Sequence, residues 1–479
     1  MNRTLIRRTV MVGLVLPFLY FGAASAMFVY TIYRQNTSGM RLQLPSASPP
    51  SSDQRILIFA PHCDDETLGA GGLIQRAVRA GARVRVVMIT NGDGFRVAVE
   101  REFRALRVSP RDYVRFAAVR QDESLAALML LGLHRDDVDF LGYPDRGLMA
   151  LWTVNWSPDH PFTSAYTQVD RSPYERAFRP NAVYCGQYLL EDITSVLQEF
   201  RPTDVYVTHP SDDHADHAAA SAFVTRALQA LREEGASWAA SCRLRYYLVH
   251  RGDWPVPQGL QERALLMPPA EMAELDTSWQ AFPLSPQEEA RKRQAILTYH
   301  SQVAVMKRFL VSFVRRNELF GELAPGIAPS VPEGMVRVDG DPAEWNSIAP
   351  VALDPVRDNL LRDFQAGGDV QRVYACHDAR YLYLRVDTAR PLSHRVEFRI
   401  SIRYFGDPRL GEAGGFERII VRSDGSATPA DMPVGEADNR LEAAIRLRDL
   451  GYSRHLAVNV ETLFAGLLVD RTGYRFVDL

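Results

Sequence analysis

The sequence predicts a mostly parallel, doubly wound α/β sheet followed by an all-β sandwich, with one N-terminal transmembrane helix. Three observations carry this expectation. From Arg55 onward, short apolar runs alternate with helical periodicities, the rhythm of strand–helix–strand units. Past a stretch dense in Pro and Gly at residues 326–334, the pattern changes to strand-like alternation and stays so. Ahead of both, residues from Thr9 to Tyr33 hold no charged side chain.

That first stretch is long enough to span a bilayer, for which about 20 apolar residues suffice. Arg3, Arg7 and Arg8 precede it, so the N-terminus is expected in the cytoplasm and the bulk of the chain outside. Ala24-Ser25-Ala26 offers a cleavage site for a signal peptide, but the apolar run continues through Met27, Phe28, Val29 and Tyr30, which favours an uncleaved anchor. The expected location is a bacterial inner membrane, single-pass, with the main body periplasmic or extracellular. Lys292 and Lys307 are the only lysines, a compositional bias expected of a GC-rich genome. The expected division is residues 1–34 as basic stub and anchor, 35–54 as a Ser- and Pro-rich linker, 55–325 as the α/β domain and 326–479 as the sandwich.

Within the α/β domain, Ile56–Ala60 is a continuous apolar run, as in a strand buried on both faces. A helix over Gly69–Ala80 ends at Gly81. Val84–Thr90 is the next strand, closed by Asn91-Gly92-Asp93-Gly94. Residues 113–131 show helical spacing up to Gly132, and Val138–Leu141 is a strand leading to Asp145. Tyr188–Phe200 is helical, Val205–Thr208 a strand, Ala218–Arg232 helical, and Arg245–Val249 a strand ending at His250. Residues 147–187 lack periodicity and read as a substrate loop. A helical stretch over Pro286–Phe320 closes the domain. Beyond it, runs such as Tyr381–Val386, Arg395–Ile402 and Arg418–Arg422 suggest about eight short strands.

Hydrophobic residues make up 46% of the chain and charged residues 24%, with a formal net charge of -3. Nothing concentrates positive charge along one face, which argues against a nucleic-acid partner. Of the four cysteines, Cys63, Cys185, Cys242 and Cys376, no two form a CxxC pair, so a structural zinc knuckle is not expected. Cys63 reads as a small filler of a tight turn rather than a ligand.

The chemistry concentrates in two clusters, His62-Cys63-Asp64-Asp65-Glu66 and His209-Pro-Ser-Asp212-Asp213-His214-Ala-Asp216-His217, each just after a buried strand. In a parallel sheet, ligands bind at the carboxyl ends of strands. Two imidazoles and several carboxylates there form the donor set of a hydrolytic zinc site, which needs about three N/O ligands and an open position. Iron or cobalt also suits the set. His62 and Asp65, three apart on one loop, are two candidate ligands and His217 is the third. Asp64 is the candidate general base. His214 is placed to donate to an oxyanion or to the leaving amine. Asp216 is placed to orient an imidazole, and Asp212 to do the same. Asp145 and His250 occupy the same sheet edge as candidate substrate-binding residues.

The loop Ala60-Pro-His-Cys-Asp-Asp-Glu-Thr-Leu-Gly-Ala-Gly-Gly72 resembles the opening motif of the PIG-L/LmbE-like N-acetylglucosaminyl deacetylases, and Asp212-Asp-His-Ala-Asp-His217 resembles their second motif. Arg120-Gln-Asp-Glu123 is similar to the family's Arg-x-x-Glu helix, which makes Arg120 a further candidate for substrate binding; an intrahelical ion pair is the plain alternative. The resemblance covers roughly residues 55 to 320. It implies a Rossmann-like fold, one Zn2+ held by His62, Asp65 and His217, Asp64 as base and His214 at the oxyanion. It also implies hydrolysis of an N-acetyl group on a glucosamine moiety of a glycan or glycoconjugate, releasing acetate. Two departures stand out. The family often has Pro where Cys63 stands, and some members have a tyrosine where Asp212 stands. Asp212 there leaves open which group supplies the acid of such a tyrosine, with Tyr143 and His250 the two candidates. The C-terminal part, through Val338-Asp-Gly-Asp-Pro-Ala-Glu-Trp345 and Tyr381-Leu-Tyr-Leu384, resembles DOMON-like, family-9 carbohydrate-binding sandwiches; Trp345 reads as a core anchor before a sugar platform. The expected activity is therefore a zinc-dependent deacetylase. The rivals are an amidase acting on a thiol conjugate or lipopeptide, and an inert glycan-binding surface protein.

Overall fold

The computed structural model describes residues 43–479 apart from 106, 274, 357–365, 407–413 and 423–424. The expected anchor at Thr9–Tyr33 lies outside the described residues, and among the described residues no helix is long and apolar enough to cross a membrane.

A seven-stranded sheet organises the first domain. Its strands are β1 (Arg55–Ala60), β2 (Arg83–Thr90), β3 (Val138–Tyr143), β4 (Asp204–Thr208), β5 (Arg243–Tyr247), β6 (Ser278–Pro283) and β7 (Asn317–Glu322), in the order β3-β2-β1-β4-β5-β7-β6. The first five run parallel, and β7 and β6 close the edge antiparallel. The order reverses between β1 and β4, the topological switch point where such sheets open a crevice. Both chemical clusters leave these two central strands.

Helices α1 (Asp65–Arg79), α2 (Arg96–Glu102), α3 (Pro110–Leu131), α4 (Leu148–Trp152), α5 (Gly186–Phe200), α6 (Ala215–Glu233), α7 (Ser237–Ser241), α8 (Pro286–Thr298) and α9 (His300–Leu310) surround the sheet. One apolar core joins a sheet face to α1, α3 and α8; the other joins the opposite face to α4, α5 and α6. Ser109 and Asp112 form a capping box that starts α3 with Pro110 in its first turn, and Gly132, at φ 105, ends it in the left-handed conformation. Gly69 and Gly72 serve close packing: a Cβ would lie 2.2 Å from the Tyr247 ring and 2.3 Å from Leu284, respectively.

Three features depart from the sequence reading. The expected helix over Pro286–Phe320 is α8, a break at Tyr299, then α9, and its last residues belong to β7. That strand is buried on both faces, which erases the alternation that would have marked it. Residues 45–47, inside the expected linker, pair with Ala281 of β6, and Leu44 and Ala47 pack on the core. Residues 147–187 fold back on the domain, burying Trp152, Tyr174 and Tyr184.

Beyond β7 the chain is β-rich. Strands β8 (Gly326–Ile327), β9 (Pro350–Leu353), β10 (Val370–His377), β11 (Tyr381–Thr388), β12 (Val396–Tyr404), β13 (Gly415–Val421), β14 (Ala427–Thr428), β15 (Val434–Ala437), β16 (Arg440–Arg446), β17 (His455–Phe464), β18 (Leu467–Arg471) and β19 (Arg475–Asp478) form two sheets around one apolar core. The excess over the eight expected comes partly from two-residue strands that leave no pattern. Trp345 is 2% exposed and packs with Tyr374 and Tyr383, so it anchors the core and offers no face to a sugar.

Candidate active site

His62 follows β1, and its neighbour Asp64 caps α1 with φ 130, a backbone conformation that costs energy for a residue with a side chain. The strain turns the loop so that Asp64 and Asp65 diverge. The Asp64 backbone N–H donates to Glu66 Oε2 at 3.1 Å, and the buried Glu66 also accepts from Tyr299 Oη and Thr67 Oγ1. Glu66, the last residue of the first cluster, thereby holds the strained turn.

His62 Nδ1, Asp65 Oδ2 and His217 Nε2 converge: the three separations are 3.2, 3.1 and 3.1 Å. A tetrahedral site with metal–ligand distances of about 2.0–2.2 Å has an edge of roughly 3.3–3.6 Å, so donors 3.1–3.2 Å apart lie close to one face of it. The other nitrogen of each imidazole faces carboxylates. His62 Nε2 lies 3.3 Å from both Asp216 Oδ2 and Asp145 Oδ1, and His217 Nδ1 lies 3.2 Å from Asp212 Oδ2. Carboxylates behind imidazoles are the usual means of orienting metal-ligating histidines. His250 joins Asp65 and His217 in a second possible donor group, and His214 joins His62 and His217 in a third.

Electrostatics follow from this packing. Burial opposes charge on His217, but Asp212 and Asp65 outweigh it and push the imidazole up to about 9. His62 is likewise raised well above its ordinary value, against burial, by Asp145, Asp216 and Asp65. The carboxylates thus create a field that attracts positive charge, which a divalent cation satisfies once the protons leave. Burial pushes the Asp64 carboxyl up to about 8, opposed by Arg120. Burial, then the neighbouring His62, His217 and His250, pushes His214 down to about 2. His214 Nδ1 accepts from the Asp216 backbone N–H at 3.2 Å. The neutral ring therefore carries its proton on Nε2, as a donor.

The other predicted residues fall as follows. Asp145 lines the cavity, and its Oδ2 accepts from Gly94 N at 2.6 Å. His250 lines it too, stacked on Phe309 at 5.3 Å. Arg120 reaches the cavity, but its guanidinium donates to Gly92 O and Cys63 O and lies 3.1 Å from Asp64 Oδ2, so it braces the Asp64 loop. Its helical neighbour Glu123 accepts from the Ser301 N–H and hydroxyl at the start of α9. Tyr143 is corrected: fully buried, its hydroxyl donates to Asp192 Oδ2 at 2.7 Å on the far side of the sheet. Burial pushes the Cys63 thiol up to about 12, unsuited to a thiolate ligand, and all four cysteines are free.

Asp212 accepts from the backbone N–H groups of His214, Val249 and His250 besides facing His217, tying β5 to the second cluster. The apolar wall of the cavity, Met306, Phe309 and Leu310 of α9 with Phe95 and Leu68, gave no sequence signal beyond helical spacing, and residues 147–187 contribute nothing to the lining.

Residues 57–228 match the family model described as PIG-L: GlcNAc-PI de-N-acetylase. A 1D-myo-inositol 2-acetamido-2-deoxy-alpha-D-glucopyranoside deacetylase of Mycobacterium sp. (strain KMS) is 33% identical over 178 residues, 36% of this chain and 50% of its own length. A glucosamine-6-phosphate deaminase-like protein of Bacteroides thetaiotaomicron is 25% identical over 272 residues, 52% of this chain and 36% of its own length. The chain thus spans between about a third and a half of the length of these curated relatives. Among solved structures, the N,N'-diacetylchitobiose deacetylase of Pyrococcus horikoshii aligns with TM-score 0.34 and 17% identity, over 57% of this chain and 84% of its own. Over residues 57–228 the chain is therefore similar to the PIG-L family, and a β-rich C-terminal region follows.

Proposed function

We propose that this protein is a zinc-dependent hydrolase that removes the N-acetyl group from an N-acetylglucosamine-type glycan or glycoconjugate. One observation carries the reading: three donor atoms within 3.2 Å of one another, with Asp64 and His214 lining the cavity that His62 and Asp65 also line. His62, Asp65 and His217 would hold the ion. Zinc bound there would polarise the acyl carbonyl and acidify water. Asp64 takes the proton from the attacking water as its oxygen bonds to the acyl carbon. The His214 Nε2–H donates to the developing oxyanion. Asp64 then returns the proton to the amine as the C–N bond breaks and acetate departs. Asp145 and His250 flank the substrate, and Arg120 keeps Asp64 aimed.

The test is acetate release by the full chain from N-acetylglucosamine oligomers, glycolipids and N-acetyl thiol conjugates, with zinc and with chelator. Chelator-sensitive release from the sugars is expected; release confined to thiol conjugates would transfer the activity to the amidase reading. The apolar wall of α9 favours that second reading to the extent that it suits a substrate with an apolar group beside the amide.

Zinc must displace protons from His62 and His217. Its apparent affinity should therefore strengthen as pH rises towards about 9, the value to which Asp212 and Asp65 push His217. Competition titrations against a chelator across pH check this, and a pH-independent affinity would count against the ligand set. The proposal includes single-pass anchoring in a bacterial inner membrane through residues Thr9 to Tyr33, with the site periplasmic or extracellular; recovery of the full chain in the soluble fraction would contradict it.

A further inference from the structure

The first part of the second cluster, His209 to His214, is irregular backbone between β4 and α6, and the C-terminal region is built onto it. Arg471, at the end of β18, donates through Nη2 to the carbonyls of Asp212 and Asp213, each at 3.1 Å. Arg475, at the start of β19, donates to Ser211 Oγ at 3.1 Å. Between them Gly473, at φ 70, passes so close that a Cβ would lie 2.1 Å from Pro210 O. No other residue fits that turn without moving the loop.

The contact continues along α6, the helix that carries His217. Trp152 sits 4.9 Å from Phe223 of α6 and 5.6 Å from Tyr474, while Arg403 donates to Thr153 O and lies 4.1 Å over the Trp156 ring. At the far end of α6, Gln229 Nε2 lies 2.9 Å from His455 Nδ1, and Glu233 Oε1 lies 3.4 Å from His455 Nε2. Ala457 and Tyr474 belong to the apolar core of the first domain. A tethered binding module would leave both ends of this helix and its entry loop free.

We infer that the C-terminal sandwich is a brace for the metal loop, with Arg471 a positioning residue that acts through Asp212 on His217. The inference rests on the metal-site reading above and deepens it. A cationic donor on two successive carbonyls fixes the backbone of Asp212 and Asp213. The Asp212 carboxylate, 3.2 Å from His217 Nδ1, then stays aligned behind the ligand. Loss of the clamp loosens the backbone that carries Asp212, whose carboxylate is then held only by the N–H groups of His214, Val249 and His250, and with it the ring orientation on which metal affinity depends.

The experiment titrates the full chain with zinc against a chromophoric chelator and records the visible spectrum of the cobalt-substituted protein. Arg471→Ala and Gly473→Ala should each weaken zinc binding about tenfold and alter the cobalt bands, with Arg471→Lys recovering most of the affinity. Arg446→Ala, which breaks a pair with Asp431 on the opposite sheet of the sandwich, should leave both unchanged. Wild-type affinity and spectrum in folded Arg471→Ala and Gly473→Ala would overturn the brace and leave the metal site standing. A wild-type chain that holds no stoichiometric metal would overturn both. Should Arg471→Ala not fold, Gly473→Ala and Arg475→Ala report on the same contact.

Discussion

Asp64→Asn is expected to keep one zinc per chain and to lose about 10²–10⁴-fold in turnover, the usual contribution of a positioned general base. The amide preserves shape, and Asn tolerates the left-handed backbone that Asp64 occupies at φ 130. It cannot take a proton from water. Arg120 keeps its bonds to Gly92 O and Cys63 O, so the loop should stay in place. The proposed ligand atoms are those of His62, Asp65 and His217, untouched by the change. Turnover and metal content measured on one preparation check the split. Turnover within a few-fold of wild type would remove Asp64 from the role of base, and loss of metal would make it a ligand instead.

Lys292→Met should destabilise the first domain by about 3–5 kcal/mol, the cost of breaking a buried pair from one side. Lys292 Nζ lies 2.7 Å from Glu318 Oε1, with both side chains fully buried. The pair sits where α1 is kinked at Ala70, just behind the first cluster. There Lys292 donates to Leu68 O, while Glu318 accepts from Gly72 N and Leu73 N. The side chains thus satisfy backbone groups that the kink takes out of the helical ladder. Removing Glu318 as well should not restore stability, because those N–H groups would then be buried without acceptors. Urea unfolding measures the change, and a loss below about 1 kcal/mol would show that the kink is satisfied in some other way.

The parallel strands were legible because burial on both faces writes continuous apolar runs, as in Ile56–Ala60 and Val205–Thr208. The same burial hid β7, whose run lies inside a helical-looking stretch. The clusters were legible because their members are close in sequence: His62, Asp64 and Asp65 on one loop, and His214, Asp216 and His217 around one helix start. Tyr143 misled because the sequence reading ended its strand at Leu141 and left the tyrosine in the loop beyond, whereas it is the last residue of β3 and turns towards Asp192. The linker reading over residues 35–54 rested on composition, which cannot see that residues 45–47 lie against β6.

The sequence by itself determined which chemistry the chain can carry, by placing imidazoles and carboxylates at the ends of buried strands. Tertiary structure decided which groups act on which. It put Asp212 behind His217, and Asp145 and Asp216 behind His62; it turned Arg120 onto the Asp64 loop, and it walled the cavity with α9. It also set the β-rich C-terminal region against the second cluster, through residues some 260 positions apart. These pairings depend on distances between segments that meet only when the sheet closes, and no local periodicity encodes them.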